Sequence, residues 1–272
     1  MSTNPDNRIS TLDPLSSDEI QKHLNGAAAQ NSITVLPVTI STNTVAREMA
    51  ADGAPEGTTV IAEEQTAGRG RRGRSFFSPK GTGIYISILL RPYNCTAAES
   101  VKITTMAAVA MCEAIEEISG KTAGIKWVND IFIEGKKISG ILTEAATGQD
   151  GFLDFAIVGV GVNVYEPVGG FPKELENSAG AILRSPVKGA KNRLAAEFLN
   201  QFMRYYKNFD GSDYVEKYRN RSIVIGKRIK IMSTTGERYA TATGIDNSCR
   251  LEVEYEDGTK ELLSSGEISI RF

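Results

Sequence analysis

Residues 125–144 read Ile125-Lys126-Trp127-Val128-Asn129-Asp130-Ile131-Phe132-Ile133-Glu134-Gly135-Lys136-Lys137-Ile138-Ser139-Gly140-Ile141-Leu142-Thr143-Glu144. Apolar positions recur at short intervals between turn residues, so the stretch reads as Ile125–Trp127, a turn, Asp130–Ile133, a Glu134-Gly135-Lys136 turn and Ile138–Glu144. Strands joined by such tight turns are antiparallel neighbours, because a parallel pair needs a crossover of a dozen or more residues. The pattern outward agrees. Gly83–Leu90 (GIYISILL) and 152–164 are continuous apolar runs and read as buried strands, with further strands at 33–38 and 58–62. Helices are expected at 17–24 behind a Ser16–Glu19 capping box, at 44–51 with Ser41 as its cap and Gly53 as its stop, at 101–118 and at 193–208. The reading is an α+β protein whose strands connect by hairpins rather than by regular βαβ repeats.

Residues 1–14 look like a frayed polar tail. Residues 165–192, rich in Pro, Gly, Ser and Asn, read as a long loop with a short helix near 173–177. From about residue 223 short alternating strands take over, with Asp257-Gly258 as a tight hairpin signal, so a small β-barrel is expected. The division is therefore an N-terminal extension (1–32), a main domain (33–221) and a C-terminal domain (222–272).

Composition excludes several function classes. The 272 residues carry 31 Lys and Arg against 33 Asp and Glu, a net charge of −2, which argues against coating nucleic acid. His23 is the single histidine, so a Ser-His-Asp triad or a multi-histidine zinc site is nearly excluded. Cys95, Cys112 and Cys249 make no CxxC pair and fit reduced thiols in a cytoplasm. No signal peptide or 18-residue apolar span is visible, so neither secretion nor a membrane partner is expected.

The sharpest motif is Gly68-Arg69-Gly70-Arg71-Arg72-Gly73-Arg74. Four mutually repelling guanidinium groups call for an anion, and the glycines let backbone N–H groups face it. A dinucleotide turn would need a helix to start here and an acid about 20 residues on; Ser78-Pro79-Lys80-Gly81 and Tyr93 stand there instead. An Arg/Gly arm for RNA is the second reading. A loop folded over an anionic small molecule is the third and preferred one. Lys126 and Lys137 could each neutralise phosphate or merely be solvated, while Lys136 reads as solvated. Asp130 could hold Mg²⁺. Trp127 reads as core. Gly159-Val160-Gly161-Val162-Asn163 ends an apolar strand, and Ser41-Thr42-Asn43 is by itself an N-cap cluster. No GxxxxGK[ST] occurs, so any use of ATP avoids a P-loop.

Taken in order, Ser41-Thr42-Asn43, Glu64–Arg74, Lys126–Asp130, Lys137–Leu142, Gly159–Asn163 and Gly266-Glu267-Ile268-Ser269 resemble biotin protein ligases over roughly residues 33–272. The family usually has Pro where this chain has Val128, and commonly Trp where it has Phe76. The resemblance implies a mixed-sheet catalytic domain related to class II tRNA synthetases, followed by an SH3-like barrel. It implies activation of biotin by ATP with Mg²⁺ to biotinyl-5′-AMP, then transfer to a lysine of a biotin carboxyl carrier domain, by a monomer or homodimer. Ser41, Thr42, Asn43 and Gln65 would hold biotin. Arg69, Gly70 and Arg71 would close over it, with Arg74 at the pyrophosphate. Lys137 would face the carboxylate and α-phosphate, with Lys126 near the phosphates. Asn129 and Asp130 would orient Mg²⁺ or the acceptor lysine, and Asn163 would reach the nucleotide. Some members carry an N-terminal winged-helix repressor domain; the residues before 33 are too few for one, so no DNA partner is expected. A lipoate ligase is the closest rival, and the Arg-rich run favours biotin over it.

Overall fold

The structure, a computed structural model, describes residues 12–233, 236–264 and 266–269. A seven-stranded sheet is built from β1 (Ile33–Leu36), β2 (Thr59–Ala62), β3 (Gly83–Leu90), β4 (Gly124–Lys126), β5 (Asp130–Ile133), β6 (Lys136–Thr147) and β7 (Leu153–Asn163), in the order β1-β2-β3-β7-β6-β5-β4. β1 and β2 run parallel and every other pair antiparallel. The β5–β6 turn forms because Glu134 and Gly135 both take positive φ, 50° and 77°, the geometry of a two-residue hairpin whose twist matches its strands.

Side-chain alternation explains why β3 and β7 carry apolar residues on both faces over most of their length. Ile84, Ile86, Ile88 and Leu90, with Val158, Val160 and Val162, enter the main core. That core lies under the long helix Ser100–Ser119, which is backed by helices Ala190–Lys207 and Asp213–Asn220. The intervening residues Leu89 and Ile157 face the other way, into a second cluster under helix Thr42–Ala51. Both faces are thus covered, and each buried Ile contributes about 1.5–3 kcal/mol relative to exposure. On that second face the strands also carry Tyr85, Ser87, Gly159 and Gly161, and there the cleft forms. Helix Ser100–Ser119 stops at Gly120, which takes φ 66° and returns its N–H to the Glu116 carbonyl.

We number the helices α1 (Ser17–His23), α2 (Thr42–Ala51), α3 (Ser100–Ser119), α4 (Ala190–Lys207) and α5 (Asp213–Asn220). A second, antiparallel sheet, β11-β10-β9-β8-β12, uses β8 (Arg228–Ser233), β9 (Gly236–Ile245), β10 (Leu251–Tyr255), β11 (Lys260–Leu263) and β12 (Glu267–Ser269). It packs into the same core: Trp127 Nε1 donates to the Cys249 carbonyl at 3.0 Å, and Arg219 Nε to that of Ile245 at 2.8 Å.

Several expectations need correction. Residues 13–14 are not frayed. Asp13 is fully buried and accepts from Tyr165 Oη (2.7 Å) and the Lys191 N–H (3.0 Å), while Asn192 binds Pro14 and Ser16. Residues 1–11 of that expected tail lie outside the described residues. Ser16 does cap α1, its hydroxyl accepting from Glu19 N. Ser41 precedes α2 but makes no side-chain cap bond, and that helix starts at Thr42. Residues 172–179 form successive turns rather than a helix. α4 starts at Ala190 because Gly189 adopts a left-handed φ of 74° before it. β1 stops before Pro37, whose missing N–H cannot extend a ladder. Helix α5 and strand β12 were not anticipated.

Candidate active site

The Arg/Gly segment is a closed hairpin. Arg69 pairs with Ser75, Gly70 N–H donates to Arg74 O at 2.7 Å, and Phe76 N–H to Gly68 O at 2.9 Å. A single tight turn spans Arg71–Gly73, with Arg72 at φ 54° and Gly73 at 74°. No α-helix begins here, so the dinucleotide reading fails. Gly68 is demanded by packing, since a Cβ there would sit 2.5 Å from both Phe76 O and Ser78 Oγ.

This hairpin roofs a cleft that is partly open to solvent. Its floor is the glycine face of the sheet. Gly140 and Gly161 are direct cross-strand partners, and the Phe76 ring lies on them. A Cβ at Gly161 would come 2.6 Å from Phe76 Cε1, and one at Gly159 would collide with Asn43 Oδ1. The glycines therefore make room for side chains and a ligand to approach the backbone.

One end of the cleft is a fixed donor–acceptor network. The start of α2 brings Thr42 and Asn43 onto Ser87 of β3, and Ser87 Oγ lies 2.7 Å from Thr42 Oγ1 and 2.6 Å from Asn43 Oδ1. Gln65 Oε1 accepts from Thr42 N (2.9 Å) and Oγ1 (3.1 Å), while its Nε2 donates to Ser78 Oγ at 3.0 Å. Asn43 Nδ2 donates to Glu144 Oε2 at 2.8 Å. Each amide is thereby held in one orientation, an arrangement suited to a small polar ligand head. Tyr85, buried beside them, donates from its hydroxyl to Pro79 O at 3.0 Å, and burial pushes its phenol well above the ordinary range.

The other end carries charge. Lys126 ends β4, Asn129 and Asp130 enter β5, and Lys137 opens β6; Ile268 and Gly266 of the C-terminal sheet close the wall. Lys137 Nζ lies 2.6 Å from Asp130 Oδ1, with the side chains 36% and 22% exposed. The lysine passes over Gly140, where a Cβ would be 3.4 Å from its Cε and Nζ. The backbone of Lys137 is clamped by the long loop, its N–H donating to Ser178 O at 2.7 Å and its carbonyl accepting from Gly180 N at 3.0 Å. Arg71 Nη1 donates to Asn129 Oδ1 at 3.0 Å, Arg69 Nη2 lies 2.7 Å from Glu144 Oε2, and Arg72 Nη1 reaches Met232 O of β8 at 3.4 Å.

Ser41, Thr42, Asn43, Gln65, Arg69 and Gly70, and likewise Arg71, Arg74, Lys126, Asn129, Asp130 and Lys137, thus line one cleft. Asn163 stands apart: its Nδ2 donates to Gly180 O at 3.0 Å, seating the loop that clamps Lys137. Lys136 is exposed at its tip, where its Nζ donates to the Glu176 carbonyl at 3.0 Å. Trp127 is 3% exposed, as a core residue, although its edge borders the cleft. Val128 follows a cis peptide bond and its carbonyl accepts from Tyr218 Oη at 3.0 Å. Ser87 and Glu144 were missed. Strand alternation could have found both, because Ser87 shares a face with Tyr85, and Glu144 with Gly140 and Leu142.

Among the described residues no three His, Cys, Asp or Glu side chains cluster as a metal site. Asp130 fits Mg²⁺ in another way: that ion takes one or two protein carboxylates and completes its shell with water and substrate phosphates. The three cysteines are free and buried, and burial pushes the Cys95 and Cys249 thiols up to about 11, so none is a ready nucleophile.

Residues 35–163 match the biotin/lipoate A/B protein ligase family, and residues 224–271 match the biotin protein ligase C-terminal domain. The bifunctional ligase/repressor BirA of Bacillus subtilis (strain 168) is 34% identical over 259 residues, covering 92% of this chain and 78% of that protein. The biotin–[acetyl-CoA-carboxylase] ligase of Paracoccus denitrificans is 32% identical over 225 residues, 79% of this chain and 90% of its own length. Among solved structures, the biotin protein ligase from Aquifex aeolicus in complex with biotin and ATP superposes with a TM-score of 0.73 at 25% identity, over 89% of this chain and 99% of that one.

Proposed function

The chain belongs to the biotin/lipoate A/B protein ligase family, and we propose that it is a biotin protein ligase that activates biotin with ATP and passes it to a lysine of a biotin carboxyl carrier domain. The observation that carries this reading is the two-ended cleft: a fixed polar network at one end, lysines and a carboxylate at the other, and an arginine hairpin over both. The catalytic unit is read as 33–221 and the C-terminal unit as 222–272, the latter lending Gly266 and Ile268 to the cleft wall. No helix among the described residues is long and apolar enough to cross a membrane. We place the enzyme in the cytoplasm as a monomer or homodimer.

In the first step a biotin carboxylate oxygen bonds to the α-phosphorus of ATP and the bond to the pyrophosphate oxygen breaks. A carboxylate is already ionised, so no general base is needed, and catalysis is positioning plus charge stabilisation. Ser41, Thr42, Asn43 and Gln65 hold the ureido head. Lys137 meets the carboxylate and α-phosphate, and Lys126 and Arg74 meet the departing phosphates. Mg²⁺ supplies charge neutralisation on the triphosphate when bound, with Asp130 as its protein ligand. Arg69, Gly70 and Arg71 close over the mixed anhydride and exclude the water that would hydrolyse it. In the second step the neutral amine of the acceptor lysine attacks the biotinyl carbonyl, an amide forms, and AMP leaves. Asn129, fixed between Arg71 and the Ile141 carbonyl, and Asp130 are placed to orient that amine.

The test is pyrophosphate release from biotin plus ATP, followed by labelling of a biotin carboxyl carrier domain. Release with biotin and none with lipoate is expected. Activity with lipoate alone would transfer the chain to the lipoate branch. Salt-sensitive RNA binding without pyrophosphate would favour the Arg/Gly-arm reading.

A further inference from the structure

We infer that Glu144 is a positioning residue for the Arg/Gly hairpin, the carboxylate that holds Arg69 down over the polar end of the cleft. The inference rests on the ligase reading above and extends it to how long the acyl-adenylate is retained. Three donors from two separate elements converge on this one side chain. Arg69 Nη2 of the hairpin (2.7 Å) and Asn43 Nδ2 of α2 (2.8 Å) meet Oε2, and Arg47 Nη2 of α2 meets Oε1 at 2.8 Å. Glu144 is 19% exposed, against 42% for Arg69 and 49% for Arg47, so the carboxylate is sheltered while its partners reach in from the rim.

A carboxylate is the wrong charge to bind an anionic intermediate, so its place at the edge of an anion cleft must be explained by the cations it holds. Glu144 stands on the face of β6 that carries Gly140 and Leu142, and so points toward α2 and the roof rather than into the core. Among the ties that hold the hairpin down, Arg71 binds Asn129 at the charged end and Arg69 binds Glu144 at the polar end, with Arg72 on the Met232 carbonyl besides. Because Glu144 also fixes the Asn43 amide, whose Oδ1 faces Ser87, closing the roof and orienting the polar network share one anchor. Glu144 touches none of the reacting atoms; it acts through Arg69.

The full chain carrying Glu144→Gln keeps the side-chain shape and an oxygen for Asn43 but loses the charge. Each enzyme is loaded with labelled biotin and ATP, then chased with unlabelled biotin, and loss of bound biotinyl-AMP is timed. We expect roughly five- to tenfold faster loss, the size of one part-exposed charge-assisted bond. Pyrophosphate formation at saturating biotin and ATP should fall by a smaller factor than retention does, a split that general misfolding would not produce. Arg69→Gln should match this loss, and the double variant should be no faster than either single one. Unchanged retention in Glu144→Gln, or single effects that multiply in the double variant, would overturn the assignment. If Glu144→Gln does not fold, Arg69→Gln on the exposed hairpin still decides it: unchanged retention overturns the role. A parent enzyme that forms no pyrophosphate from biotin and ATP would refute the ligase reading instead, a result distinct from either.

Discussion

Replacing Lys137 with alanine separates chemistry from stability. In the free protein its ammonium is paired with Asp130 at 2.6 Å, but both groups remain partly in water, at 36% and 22% exposure. Such pairs contribute about 0–1 kcal/mol, since the Coulomb attraction barely exceeds desolvation and lost side-chain freedom. A chain of this size shifts its melting temperature by about 2–4 °C per kcal/mol. Lys137→Ala should therefore lower Tm by no more than about 4 °C. The chemical step is different. As the carboxylate bonds to phosphorus, negative charge gathers beneath a closed roof where water no longer screens it, and one preorganised donor there is worth about 10²–10³ in rate. Lys137 lies over Gly140 with its backbone held by Ser178 and Gly180, so it reaches that charge without reorganising. The assay is single-turnover pyrophosphate release from biotin and ATP, alongside thermal unfolding. Release within threefold of the parent, or a Tm loss well beyond 4 °C, would refute the reasoning.

Arg71→Gly should leave the fold intact and let biotinyl-AMP escape into solution, read as free adenylate after gel filtration; retention equal to the parent would remove Arg71 from the roof. Gly161→Ala puts a Cβ 2.6 Å from the Phe76 ring, and the displaced ring should weaken biotin binding by about tenfold in calorimetry, consistent with a repacking cost of about 1–3 kcal/mol. Lys191→Met strips the ammonium from Glu63, a buried ion pair at 2.6 Å, and should cost about 3–5 kcal/mol in urea unfolding, because the carboxylate keeps the Leu15 N–H but loses the charge that balances it. The Glu56 carboxyl is opposed by burial, yet bonds from Lys207, Tyr206 and the Arg91 N–H outweigh it and hold it below its ordinary 4.5. The unfolded chain then takes up the proton first, so stability present above about pH 4.5 is lost as pH falls through the folded value. Glu56→Gln should flatten that acid limb of the Tm–pH curve.

Much of the fold was legible because strands and hairpins follow short-range rules. GIYISILL is the strand Gly83–Leu90, and Glu134-Gly135 makes the turn that its positive φ values require. Helix α5 escaped notice because only Tyr214, Val215 and Tyr218 are buried in its eight residues, too few for a visible period. Asp13 read as tail because its partners, Tyr165 and Lys191, lie 152 and 178 positions away. The candidate site was legible as a set of motifs but not as pairings. Asn163, expected at the nucleotide, spends its amide on Gly180, and Glu144 carries no motif of its own.

What the amino-acid order determined by itself was the kind of chemistry available: arginines and lysines for an anion, one histidine and hence no zinc site built on several, and strands whose alternation leaves glycines on one face. Only the tertiary structure decided which charges meet. Glu144 joins Asn43, Arg47 and Arg69 across 75 to 101 positions of chain. Local backbone preference acts over a few residues, whereas an ion pair exists only once folding has brought distant strands within about 3 Å and has shut out competing water.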